Sequence, residues 1–327
     1  MIECSSVTER WELAEPFAIA RDVITAIGVL VVTLTDGKGN RGRGEAAGVD
    51  YDGETPQTMS DQVREVAPRL NEDLSSAQLR ALLPPGGARN ALDCALWDLR
   101  AKQSGVPAAT SAGFARLHPV TTAFTLGLSD ESDLRRKARA ARHYPLLKLK
   151  ADARRHVDVV RIVREEHPGA RLIVDANQSW SRALLERLLP TLAALRVELI
   201  EQPLPRGQDE ALRGLEAKLP LAADESCSDL ASLAGLAGFY QYVNIKLDKC
   251  GGLSEALAMV AAARRLGLRL MVGNMCGSSL AMAPAFLIAQ SCDYVDLDGP
   301  LLQRADRPHA IRYEGALMQP PARELWG

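Results

Sequence analysis

The sequence is short of several features that would direct it to common functions. Its six cysteines, at 4, 94, 227, 250, 276 and 292, never form a C-x-x-C pair, so neither a zinc knot nor a dense disulfide framework fits. No apolar run approaches the roughly 18 residues of a membrane helix. The N-terminus, interrupted by charges within its first ten residues, lacks a secretory core. A reducing cytoplasm is therefore the expected location. A formal net charge of −2 supplies no field to gather nucleic acid or anionic membrane. The basic cluster Arg135, Arg136, Lys137, Arg139 and Arg142 lies on an Ala-rich helical stretch and reads as a solvated helix face. Pro84-Pro85-Gly86-Gly87 and Cys250-Gly251-Gly252 match neither a P-loop nor a dinucleotide fingerprint, and no G-x-S-x-G elbow is present.

What is present falls into two regimes. Val23 to Thr35 is β-branched and strand-like, and runs into the turn signal Asp36-Gly37-Lys38-Gly39-Asn40. Gly42 to Gly48 reads as the returning strand. Helical patterning follows from about Thr58. Asn90 to Lys102 carries Ala91, Leu92, Ala95, Leu96 and Leu99 on one face, with Asn90 as the expected N-cap. Strands followed by helices indicate an α+β unit over residues 1–115.

From residue 120 a repeat begins. Strand-like runs start at Val120, Leu146, Arg171, Val197, Leu221, Tyr242, Leu268 and Tyr294, at intervals of 21 to 26 residues. Helical stripes such as Leu184, Leu185, Leu188, Leu189 and Leu192 lie between most of them. Eight strands alternating with helices over 116–300 are what a (β/α)8-type barrel requires; a doubly wound open sheet is the alternative. The Pro-containing segment 301–327 is expected to leave the barrel and pack back on the first unit.

Catalytic groups of such barrels sit at the C-terminal strand ends. Here those ends are polar: Lys148 and Lys150, Asp175, Glu201, Asp224, Lys246, then Asp296 and Asp298. Charges at so many strand ends are costly unless they pair or hold a metal. Oxygen-only ligands from Asp175, Glu201 and Asp224 suit a hard cation such as Mg2+. Helix capping by each acid is the bland alternative. Strands two and six stand opposite in an eight-strand ring, so Lys150 and Lys246 are expected to face each other across the mouth. Lys148 and Lys150, two apart, point to the same side, and mutual repulsion would make a neutral lysine base accessible. Two such lysines could remove a carbon-bound proton from one face and return it to the other. Structural ion pairing is the alternative role.

The motifs LKLK, VDANQSW, ELIEQPLP, AADES and VNIKLDKCGG, in this order, resemble the successive barrel motifs of the enolase superfamily, muconate-lactonizing subgroup. The resemblance covers nearly the whole chain. It implies an α/β fold with a modified (β/α)7β TIM-type barrel and an α+β capping domain. It also implies one Mg2+ on Asp175, Glu201 and Asp224, with Lys150 and Lys246 as paired acid/base residues and Lys148 assisting charge stabilisation. Asp296-Leu297-Asp298 resembles the D-x-D with which dipeptide epimerases grip a free α-ammonium. Gly273 to Leu280 resembles that group's seventh-strand loop, and Val49 to Thr55 a capping-domain specificity loop. Thr125, Tyr51, Met275 and Gly277 thus join the substrate-binding candidates. Arg21 is the candidate for a glutamate side-chain carboxylate, and Asp52 adds a negative charge near the expected entrance that such a side chain would not welcome.

The resemblance therefore implies epimerisation of a small-molecule dipeptide, L-Ala-D/L-Glu or a related one, at its second α-carbon. The alternatives are o-succinylbenzoate synthase, N-acylamino acid racemase or cycloisomerase activity in the same superfamily, or a non-catalytic ligand-binding relative. No nucleic-acid or membrane partner is expected; the sequence leaves a homo-oligomer open.

Overall fold

The computed structural model describes residues 2–18, 23–71 and 73–327, so Arg21 lies outside the described residues. Strands β1 (Glu3–Ala18), β2 (Val23–Thr35) and β3 (Arg41–Ala46) form an antiparallel sheet in that order. The expected turn joins β2 to β3: the Asp36 carboxylate accepts the backbone N–H groups of Lys38 at 2.8 Å and Asn40 at 2.9 Å. One face of the sheet buries Leu30, Val32 and Leu34 against helices α1 (Pro56–Val66), α2 (Ser76–Leu82) and α3 (Gly87–Ser104). Burying each such side chain contributes roughly 1.5–3 kcal/mol relative to exposure. Asn90 is not the N-cap of α3. The helix begins a turn earlier, after Gly86, because the Glu54 carboxylate accepts the Gly87 N–H at 2.9 Å and satisfies that end from another segment.

After the short α4 (Ala108–Ser111), the expected strand 120–126 is divided. Its first part, β4 (Val120–Thr121), belongs to a different sheet, and its second, β5 (Phe124–Leu126), opens the barrel. Strands β6 (Leu146–Lys150), β7 (Arg171–Asp175), β8 (Val197–Glu201) and β9 (Leu221–Ala223) follow. Then come β10 (Tyr242–Ile245), β11 (Arg269–Val272) and β12 (Tyr294–Val295). Each pairs in parallel with its chain neighbour, giving eight strands in sequential order. The Ala123 N–H reaches the Val295 carbonyl at 2.7 Å and brings the first strand to the last.

The connections hold α5 (Glu131–Ala140), α6 (Val157–Glu166), α7 (Arg182–Ala194), α8 (Leu233–Leu236), α9 (Leu247–Cys250), α10 (Leu253–Arg265) and α11 (Ser279–Ala289). Between β8 and β9 the described chain forms a single 3-10 turn, Asp209–Leu212. The charges on α5 are not simply solvated. Arg135 and Arg139 both pair with Glu166 of α6, at 3.0 and 2.7 Å. Strands β13 (Tyr313–Glu314) and β14 (Leu317–Met318) then join β4. The chain end returns to α3, where Trp326 Nε1 donates to the Cys94 carbonyl at 3.0 Å and the Gly327 N–H to Asp98 at 2.7 Å.

The period-2 alternation of the strands fixes what faces the barrel axis. Leu147, Leu149, Leu172, Val174, Ile200, Val243 and Ile245 point outward into the layer under the helices. Ala123, Leu146, Ile173, Leu199, Ala222, Tyr242, Met271 and Tyr294, one from each strand position, fill the barrel interior. Two residues further along the same inward rows stand Lys148, Asp175, Glu201, Asp224, Asn244 and Asp296. The apolar plug thus carries a charged layer directly above it.

Candidate active site

Asp175 ends β7 and Glu201 ends β8, whereas Asp224 and Lys246 each fall one residue past their strands, β9 and β10. Carboxylate oxygens of Asp175, Glu201 and Asp224 lie within 4.8 Å of one another, and all three side chains are buried. The lysines are distributed around this triad. Lys150 Nζ donates to Asp175 Oδ2 at 2.8 Å, and Lys246 Nζ donates to Asp224 Oδ2 at 2.8 Å. Lys148 lies at the centre, with Glu201 and Asp296 oxygens at 2.9 Å and Asp175 Oδ2 at 3.0 Å. Strand order therefore sets Lys150 and Lys246 at the two ends of an acidic arc.

Other buried groups complete the arrangement. Lys249 Nζ donates to Asp224 Oδ1 at 2.6 Å, to the Asn244 carbonyl at 3.0 Å and to the Asp224 carbonyl. Asn244 Nδ2 donates to Glu201 Oε1 at 2.8 Å. Gln202 Oε1 accepts the Asp224 N–H at 2.9 Å, and the Asn177 N–H donates to Asp175 Oδ1 at 2.9 Å. Asn177 and Gln202 hold left-handed backbone at φ 42° and 33°, strain of the kind concentrated at functional strand ends. All four lie inside the motifs quoted above. Their side-chain chemistry was legible there, but their direction required the folded backbone.

The charges set one another's protonation. Burial is the largest influence on the Lys246 ammonium and pulls it down, but the Asp224 charge and hydrogen bond together with Glu201 outweigh it, and the net shift is upward. Burial likewise opposes Lys148, and Asp175, Asp296 and Glu201 hold it well above its ordinary value. For Lys148 the expected lowering beside a second lysine is therefore reversed, because three carboxylates contact its ammonium. Burial and the Asp175 charge push Glu201 up to about 8. Asp175 resists its burial through Lys148 and Lys150 and ends below the usual carboxylate range.

A cavity of about 330 Å³ lies between this layer and the first sheet. Lys150, Lys246, Asn177, Asp224, Tyr51 and Met275 line it, together with apolar groups such as Phe17, Ile24 and Ile27. Met275 Sδ stands 3.9 Å from Lys246 Nζ. At the seventh strand the inward position is Gly273. A Cβ there would lie 3.0 Å from Lys246 Cε, so glycine leaves the space the lysine occupies.

Thr125, Asp296 and Asp298 form a neighbouring buried cluster at the seam between β5 and β12. The Thr125 N–H donates to Asp298 Oδ2 at 2.7 Å, and Thr125 Oγ1 stands 3.4 Å from Asp296 Oδ1. Burial and the Asp296 charge raise Asp298 to about 7. Gly277 packs on Glu45, whose Oε1 would stand 3.0 Å from a Cβ at that position. Asp52 does not load the entrance with uncompensated charge: Arg206 holds it in a two-pronged pair at 2.7 and 3.1 Å.

Around the mouth Asp175, Glu201, Asp224, Glu225, Asp296 and Asp298 face Lys148, Lys150, Lys246 and Lys249, nearly all of them buried. Fully ionised, this set is short of two positive charges, and its exposed chemistry is hard carboxylate oxygen. One divalent ion fits both the donors and the deficit.

Residues 1–113 match the mandelate racemase / muconate lactonizing enzyme N-terminal domain, and residues 133–324 the enolase C-terminal domain-like family. The chain belongs to the enolase superfamily. Within this superfamily it is 38% identical over 307 residues to the L-Ala-D/L-Glu epimerase of Escherichia coli, covering 93% of this chain and 95% of that one. An N-acetyl-D-glutamate racemase of a Pseudoalteromonas species is 44% identical over 251 residues, 77% of this chain and 79% of the relative. Among solved structures, an enolase superfamily protein from Agrobacterium tumefaciens with homology to dipeptide epimerases superposes with a TM-score of 0.96. It is 42% identical, both chains are covered in full, and it holds sodium and L-Ala-L-Glu. Dipeptide epimerases of this superfamily have been solved with Mg and a dipeptide. The relatives and structural neighbours are thus isomerases, chiefly dipeptide epimerases.

Proposed function

We propose that this chain is a dipeptide epimerase that moves a proton at the α-carbon of the second residue, with L-Ala-D/L-Glu or a related dipeptide as substrate. The observation that carries this reading is the pair of lysines lining one cavity from opposite ends of the acidic triad. One lysine, in its neutral form, would take the α-proton at Nζ, and the other, as an ammonium, would deliver a proton to the opposite face, which inverts the centre. A cation on the triad would offset the carboxylate charge that holds Lys246 protonated. Asp175, Glu201 and Asp224 would hold one magnesium ion, which neutralises charge developing on the substrate carboxylate. Lys148, tied to Glu201 and Asp296, adds fixed positive charge beside it. Asp296 and Asp298 would receive the substrate ammonium, with Thr125 holding Asp298 in place. Tyr51, Met275 and Gly277 bound the space for the dipeptide, and Arg21 is proposed for an acidic side chain. The capping unit comprises residues 1–115 with 301–327, and the catalytic barrel 116–300. The protein is proposed to work in the cytoplasm on a small molecule alone.

The test is deuterium incorporation at that α-carbon in heavy water with magnesium, across a panel of dipeptides read by mass spectrometry. Exchange in Ala-Glu and its analogues supports the proposal; no exchange across the panel removes it. The similarity to an N-acetylglutamate racemase favours one second reading, racemisation of N-acylated amino acids, and N-acetylglutamate belongs in the same panel.

A further inference from the structure

Lys246 stands at the N-cap of α9, and the N–H groups of Lys249 and Cys250 both return to its carbonyl at 3.1 Å. A single helical turn has little cohesion of its own, so tertiary contacts must fix its position. Lys249 ties the turn to Asp224 and Asn244 within the barrel, and a second set of contacts comes from the capping unit. Arg89 of α3 donates Nη2 to the Cys250 carbonyl at 2.6 Å and Nε to the Gly251 carbonyl at 3.2 Å. One turn further along α3, Asp93 accepts the Ser254 N–H at 2.8 Å and its hydroxyl at 2.6 Å. From the other side, Asp248 Oδ1 accepts the Gly48 N–H at 2.9 Å.

The Cys250-Gly251-Gly252 sequence is explained by this docking. Gly251 has φ +77°, and a Cβ there would strike the Arg89 guanidinium. Arg89 itself is buried, at 4% exposure, and the carbonyls at the end of the turn are where a helix favours a cation. Lys150 is supported differently. It ends a strand paired in register with β7, and among the described residues the hydrogen bonds of its following loop run to Asp175, to Trp180 and within the loop.

We propose that Arg89 is a positioning residue for Lys246 and not for Lys150. This rests on the two-lysine reading, in which each lysine exchanges the α-proton of one epimer only. The experiment uses L-Ala-L-Glu and L-Ala-D-Glu separately, in heavy water with magnesium, with α-deuterium read by NMR. In Lys150→Ala only the epimer facing Lys246 should exchange, and in Lys246→Ala only the other. If neither single variant is epimer-selective, the two-lysine reading fails and the inference with it.

If both are selective, Arg89→Met added to Lys150→Ala should slow the remaining exchange at least tenfold, on the order expected for a displaced catalytic group. Added to Lys246→Ala, it should change exchange by less than about twofold, since the Lys150 geometry does not depend on it. Equal losses in both backgrounds, or none in either, overturn the inference. Arg89→Lys, which retains a donor for one carbonyl, should show the same asymmetry to a smaller degree. It carries the test if the methionine variant does not fold, and equal losses with it overturn the inference in the same way.

Discussion

Lys249 Nζ sits 2.6 Å from Asp224 Oδ1, on the opposite side of that carboxylate from the lysine lining the cavity. Its other contacts are two backbone carbonyls, so its hydrogen-bonding capacity is spent within the protein. Its effect is to fix Asp224 in place.

Replacing Lys249 with methionine leaves one side of a buried carboxylate without its cation. Breaking a buried pair costs about 3 kcal/mol or more, so urea unfolding should show a loss of that size. A loss below about 1 kcal/mol would place the pair among weak surface-like contacts.

Stability should depend on pH with a definite sign. Glu201 is held at about 8 against an ordinary 4.5, and Asp298 at about 7 against 3.8. Between those limits the folded chain keeps protons that the unfolded chain has released. Stability of protein stripped with chelator therefore falls as pH rises from about 5 to 8. Asp175 works in the other direction, but its contribution is complete above its ordinary 3.8 and is lost only in acid. A magnesium ion held as proposed by Glu201 would compete with its proton, so it should raise the melting temperature more at pH 8 than at pH 6. An equal or larger gain at pH 6 would refute the linkage.

Asp298 is a cleaner probe of the proposed ammonium site than Asp296, because Asp296 also binds Lys148. Asp298→Asn should lower kcat/KM for a dipeptide about a hundredfold and leave any N-acylamino acid turnover within about threefold. Parallel losses for both substrate classes would show that Asp298 does not select a free amine.

Gly273→Ala introduces a methyl 2.7 Å from Asn244 Oδ1 and 3.0 Å from Lys246 Cε. Displacing the lysine should slow α-proton exchange about tenfold or more while the fold persists by circular dichroism. Exchange at the wild-type rate would mean that the cavity has room which the packing does not indicate.

Much of this was legible because a barrel strand encodes its site by alternation. Lys148 and Lys150 share the inward row with Leu146, so polar residues at the end of an apolar run identified the mouth. What escaped depends on chain reversal or distance. Lys249 follows Lys246 by three residues and folds back on Asp224 only because the turn between them is helical. Asp52 and Arg206 meet across 154 residues, so the compensation of charge at the entrance had no local signal. Asn90 looked like a cap because its side chain can serve as one, but a carboxylate from another segment had already taken that role.

The eight-residue apolar plug beneath the lysines has a consequence for traffic. With the barrel floor filled among the described residues, the cavity lies on the side of Tyr51 and the first sheet. In the proposed reaction both epimers would then come and go on that same side. A compound wedged there would block both directions of the reaction equally, whichever epimer it imitates.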